Sequence, residues 1–150
     1  MRLPLALLLA VVCAAAHATV VHAGGMMGRS GIEEALIGQA VTGEYSDGRE
    51  FTERFGADMT SRYTEGGRTT PGTMRFEGNL MCFAYEGEDL SGGCFEVWRR
   101  SSNCFDFYGT DDGVAGASLQ QRRAGTGWTA RTWRQDAPST CVGDQIASAQ

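Results

Sequence analysis

The chain has 150 residues, 21 of them glycine, with no lysine, 13 arginines, 18 acidic residues and a formal net charge of -5. An acidic chain without a basic run is poorly suited to nucleic acid and gains nothing at an anionic membrane surface. The length suffices for a single modest core and not for two ordinary ones.

In chain order, Met1-Arg2 is a short positive start and residues 3–16 form an apolar run rich in small residues. Small-x-small patterns follow at Ala16-His17-Ala18 and Val21-His22-Ala23. This reads as a secretory signal peptide over 1–23, removed together with Cys13, and places the protein in the periplasm or outside the cell without stable membrane insertion. Residues 24–35 read as a flexible Gly/Met-rich segment, with a single helical turn within "IEEALIG" at 32–38.

The rest, 36–150, reads as one all-β domain with a disordered tail after about residue 142. Strands are expected at 40–45, 50–55, 59–64, 73–76, 80–85, 94–99, 104–109, 117–123 and 128–134, with turns at Ser46-Asp47-Gly48, Gly56-Ala57-Asp58, Glu77-Gly78-Asn79 and Gly125-Thr126-Gly127. The polar stretch "EGGRTTPG" at 65–72 reads as a loop. Short strands joined by tight turns fit an antiparallel meander, a small barrel or a strongly curved sheet or sandwich; no helix-period segment is long enough to cover a parallel sheet. Within 50–55, Phe51, Glu53 and Phe55 share one side and Thr52 and Arg54 the other.

With the signal removed, Cys82, Cys94, Cys104 and Cys141 remain, an even number that reads as two disulfides in an oxidising compartment. Of the three connectivities, Cys82 with Cys94 across one hairpin also sets Met81 opposite Phe95, which leaves Cys104 with Cys141. A tight turn at Ser101-Ser102 would set Trp98 opposite Phe105, so Cys94 and Cys104 would not face each other.

The segments "LIGQAVTGEYSDGREFTERFGADM", "GTMRFEGNLMCFAYEG" and "GCFEV", spanning roughly 36–98, resemble small exported proteins of uncharacterised bacterial families. In these a G-x-W-x-x-x-G-x-L-C-F-x-Y segment precedes a Cys-aromatic pair; Met74 stands here at the tryptophan position. The resemblance implies an all-β, lipocalin-like or related fold with the paired cysteines as a structural bridge, and it carries over no catalytic residue.

His17 and His22 are the only histidines and both leave with the signal. Without His or Lys there is no Ser-His-Asp or Cys-His arrangement, no imidazole metal ligand, no Schiff base and no P-loop lysine. Carboxylates remain: Glu44, Glu53, Glu77, Glu96 and Asp106 lie on strands or at their ends, where charged side chains ordinarily face water. The acidic stretches at 86–89 and 110–113 lack the spacing of a calcium loop and read as turns, so no metal and no cofactor is expected. Among the aromatics, Trp98, Tyr108, Trp128 and Trp133 are the candidate ligand contacts, with Trp128 and Trp133 expected on opposite faces. The functional expectation is an exported, disulfide-stabilised, non-enzymatic binding or inhibitory module for a small molecule, glycan or protein. The alternatives are a carboxylate-dependent hydrolase of the cell envelope and a purely structural envelope protein.

Overall fold

The computed structural model describes residues 24–87 and 92–141; the expected signal segment and the residues after Cys141 lie outside them. Antiparallel strands β1 (Ala40–Tyr45), β2 (Glu50–Phe55), β3 (Thr60–Glu65), β4 (Arg68–Glu77), β5 (Leu80–Tyr85), β6 (Gly93–Ser101) and β7 (Cys104–Asp111) follow one another as a meander. The two-residue β8 (Val114–Ala115) extends β7 as a hairpin, and β9 (Ala130–Arg134) inserts between β7 and β1. The pairing of β6 with β7 and of β9 with both β7 and β1 closes eight strands into a barrel. A closed sheet has one interior, so alternate side chains meet there: Val41, Phe51, Phe55, Tyr63, Met74, Met81, Phe83, Val97, Phe105 and Phe107 form one core.

Helix α1 (Arg29–Leu36) precedes β1 and covers one end of the barrel. Its Ile32, Ala35 and Leu36, at i, i+3 and i+4, are buried in that core. Gly28 offers no side-chain cap, and Asn79 in the β4–β5 turn accepts the Arg29 N–H instead at 3.1 Å. The expectation of a flexible segment over 24–35 is corrected. Met27 is buried, its N–H donates to Val97 O at 2.8 Å, and Met26 bridges Trp98, because β6 has a free backbone edge beyond Phe95, where its pairing with β5 ends, and α1 has an apolar face.

Three other expectations change. Most of the polar stretch 65–72 is strand: Gly66 and Gly67 at positive φ make the turn, and Thr69, Thr70 and Pro71 pair with Thr64, Tyr63 and Arg62. Pro71 fits because its carbonyl still accepts the Glu86 N–H at 2.9 Å, at the end of β5. Residues 117–123 fold not as a strand but largely as α2 (Leu119–Ala124), where Ser118 and Gln121 form a reciprocal capping box and Gly125 adopts φ 72. In the β6–β7 hairpin the turn is Ser102-Asn103, and a bulge between Arg99 and Ser101 shifts the register so that Trp98 faces Asp106.

Both disulfides are those expected, Cys82–Cys94 and Cys104–Cys141, and Met81 does face Phe95. The first ties β5 to β6; the second holds the segment after β9 against the start of β7, where Asn103 donates to three carbonyls, those of Arg134, Ala137 and Pro138. The protein is thus a small disulfide-stabilised all-β barrel. No helix among the described residues is long and apolar enough to cross a membrane.

Candidate functional site

The barrel end opposite α1 holds a cavity of about 330 Å³. It is lined by the C-terminal halves of β1, β3 and β5, the whole inward face of β2 and the start of β6, joined by Phe107, Ala130 and Thr132 across the barrel. Period-two alternation brings Phe51 and Glu53 of β2, Tyr63 and Glu65 of β3, and Phe83 and Tyr85 of β5 to the same interior.

Two glycines make this packing possible. A Cβ at Gly43 would stand 2.3 Å from Phe51 Cζ, and one at Gly72 would stand 2.7 Å from Tyr85 Cδ1. Both rings therefore lie against bare backbone. The rings form a continuous wall, with centroids 4.8 Å apart for Tyr45–Phe51, 5.4 Å for Phe51–Tyr63 and 5.4 Å for Tyr63–Tyr85. Phe83, Phe95 and Phe107 continue it at 5.9 and 6.1 Å.

Two polar groups interrupt this wall. Glu53 is only 5% exposed, and its Oε1 accepts both Ser61 Oγ at 2.6 Å and Tyr85 Oη at 2.8 Å. Its second oxygen accepts neither donor. Burial pushes the Glu53 carboxyl up to about 7, against the opposing pull of those two hydrogen bonds. The second group is a chain of hydroxyls. Tyr63 donates to Glu65 Oε2 at 2.9 Å, so the 2.9 Å contact between the Tyr45 and Tyr63 hydroxyls is donated by Tyr45. Burial holds all three phenols above the ordinary tyrosine value, with Glu65 adding to it for Tyr45 and Tyr63 and Glu53 for Tyr85. At the rim, Arg49 pairs with Asp47 at 2.9 Å and Glu65 at 2.8 Å, and its guanidinium sits 4.8 Å over the Tyr45 ring.

Comparison with protein-family models and with curated proteins finds no match for this chain.

The four aromatic residues singled out in the sequence lie elsewhere. Trp98 and Tyr108 pack edge to face at 6.3 Å on the outside of the barrel, and Trp128 joins them with Ala115 and Ala117. Trp133 is half-buried on β9, opposite Thr42. Trp128 precedes β9 rather than lying in it, so the odd spacing to Trp133 sets no facing relation.

This outer cluster surrounds a fully buried Asp106. Its Oδ1 accepts Arg131 Nε at 2.6 Å, and its Oδ2 accepts Arg100 Nε at 2.5 Å and Arg131 Nη2 at 3.0 Å. Arg100 also reaches the Tyr108 hydroxyl at 2.6 Å and the Arg122 carbonyl, while Arg131 reaches the Gly125 carbonyl at 3.2 Å. Glu96 pairs with Arg122 at 3.2 Å and accepts Trp98 Nε1 at 3.0 Å. Ion pairs in this layer fasten α2 and the turn after it to the wall.

The expectation that strand carboxylates face water is corrected for two of five. Glu53 and Asp106 are buried because closure gives every strand an interior face, and because α2 covers part of the exterior. Glu77 is exposed beside Arg75, and Glu44 and Glu96 are partly covered. Of residues 110–113, Thr110 and Asp111 end β7 and only Asp112 at φ 47 and Gly113 at φ 80 make the turn, with Asp111 paired to Val114 across it. Residues 88 and 89 of the other acidic stretch lie outside the described residues. Among the described residues, one group of three possible metal ligands comes together, Glu77 with Cys82 and Cys94, and its sulfurs are bonded to each other.

Sequence reasoning missed the cavity residues Tyr45, Tyr63, Phe83 and Tyr85. The signal was present: inward positions of β1, β2, β3 and β5 share an aromatic excess, and Glu53 sits between Phe51 and Phe55. Without knowledge of closure these rings read as ordinary core.

Proposed function

We propose that the protein is an exported, non-enzymatic binding module that takes a small, mainly apolar ligand into the barrel in a lipocalin-like manner. The observation that carries this reading is the aromatic-lined cavity of about 330 Å³, closed at its far end by α1 and furnished with one buried carboxyl. Mostly apolar walls with a few convergent polar groups are what a small-molecule site requires. Export is supported by the signal-like residues 1–23 and by two disulfides, which persist in an oxidising compartment. The ring wall offers area for affinity, and Glu53, Tyr85 and the Tyr45–Tyr63–Glu65 chain orient a polar group.

The test is titration of the purified protein with a neutral apolar fluorophore, N-phenyl-1-naphthylamine. Saturable one-site binding, lost in Ala130→Phe with the far-UV spectrum and melting cooperativity preserved, is the expected result. Absence of saturable binding to the wild-type protein overturns the reading.

The raised Glu53 carboxyl also favours a second reading, a hydrolase in which Glu53 is the general acid and Glu65, the other carboxylate of the cavity, is its partner. Turnover of an aryl glycoside that disappears in Glu53→Gln would establish it, and absence of turnover would leave the binding module.

A further inference from the structure

The chain buries two carboxylates and treats them differently. Asp106 receives two guanidiniums, which neutralise it within a packed layer. Glu53 receives only neutral hydroxyls, both on one oxygen, and no ion pair reaches it among the described residues. A carboxyl buried in an apolar site without a cation is costly, and the packing of β2 would be served as well by a neutral amide. Unlike Asp106, Glu53 lines a cavity.

The walls around it suit one kind of ligand. Ring faces attract cations through their quadrupoles, and Arg49 already lays its guanidinium over one ring of this wall, that of Tyr45. Arg49 is itself engaged by Asp47 and Glu65, so it does not compete for Glu53. The titratable groups lining the cavity with Glu53 are Tyr45, Arg49, Tyr63, Glu65 and Tyr85. The tyrosines stay neutral, which leaves the cavity with two carboxyls and a single guanidinium at its rim.

We infer that the cavity selects a small organic cation, a primary ammonium ion on an apolar body, with the ammonium bonded to Glu53 and its body against the rings of Phe51, Tyr63 and Phe83. This rests on the binding reading above and specifies its ligand class. On binding, the protonated Glu53 carboxyl releases its proton to solvent and the carboxylate pairs with the incoming ammonium, so charge and protons balance. The ligand binds the ionised form, so affinity rises with pH through the range where the free protein loses that proton.

The experiment is calorimetric titration of the full exported chain with 2-phenylethylammonium and with its neutral counterpart 2-phenylethanol. Each is run in two buffers of different ionisation enthalpy, at about pH 6 and about pH 8.5. The expected result is release of about one proton per ammonium bound at the lower pH, fading to nearly none at the higher, with at least a roughly tenfold preference for the cation over the alcohol. Glu53→Gln should abolish both the proton release and the preference while 2-phenylethanol still binds. Proton release by the wild-type protein needs no variant, so an unfolded Glu53→Gln leaves the test intact. Equal affinity for the two probes without proton release overturns the cation class and leaves the binding module standing. A preference that survives in Glu53→Gln overturns the role of Glu53. Failure of both probes, together with failure of the neutral fluorophore, overturns the cavity as a binding site altogether.

Discussion

Glu53 sits between two inward phenylalanines, and its position there sets a pH dependence for the whole fold. Its carboxyl, ordinarily near 4.5, lies at about 7 in the folded protein because burial disfavours the charged form. The folded state therefore binds the proton more tightly than the unfolded chain. This contribution to stability is fully present below about pH 4.5 and is lost as pH rises through about 7, a decline on the order of 3 kcal/mol. Glu53→Gln should remove that decline. Urea midpoints at pH 5 and pH 8 should then differ less in the variant than in the wild-type protein, and equal differences in the two would reject the assignment. Asp106, equally buried, belongs to another class of residue: its arginine partners make it a fastener of the α2 layer.

At the scale of elements, local sequence explains most of what forms. Alternation gives the strands, Gly66-Gly67 and the Asp-Gly pairs at 47–48 and 112–113 give three of the turns, and the Ser118–Gln121 box with Gly125 gives α2. That helix was legible in the residues, since a Ser three positions before a Gln and a glycine at the end form a capping signature. Its arginines and glutamines instead read as a polar strand face. The loop expected at 65–72 misled because polarity was weighed above the β-branched threonines, which pair across the ladder, Thr64 Oγ1 with Thr69 Oγ1 at 2.8 Å. One disulfide joins two neighbouring strands and the other ties the start of β7 to the segment after β9. Removing Cys82–Cys94, with 12 residues of separation, should cost about 3 kcal/mol in the chain-entropy view. Removing Cys104–Cys141, with 37, should cost about 4 kcal/mol. Paired Cys→Ser variants compared by guanidinium denaturation measure both, and a larger loss from the shorter loop would show that native contacts rather than loop entropy decide the effect.

At the scale of the molecule, the barrel is a cup: α1 stops one end and the aromatic cavity occupies the other. Leu36 is fully buried in that stopper. Leu36→Ala should cost about 3 kcal/mol through lost burial and the cavity it leaves. Thermal or urea unfolding checks this, and a loss below about 1 kcal/mol would mean that α1 rests on the barrel without sealing it. The amino-acid sequence by itself determined the strands' alternation, most of the turns, the pairing of the four cysteines and the poverty of catalytic groups, because these depend on neighbours within a few residues or on counting. Only the tertiary structure decided that the sheet closes and that β9 inserts between β7 and β1. It alone placed Trp98, Tyr108 and Trp128 outside and a glutamate within a ring of aromatics inside. Closure is a sum of long-range pairings whose register no single strand encodes, and the side of the sheet that becomes an interior is fixed only once the last strand joins the first.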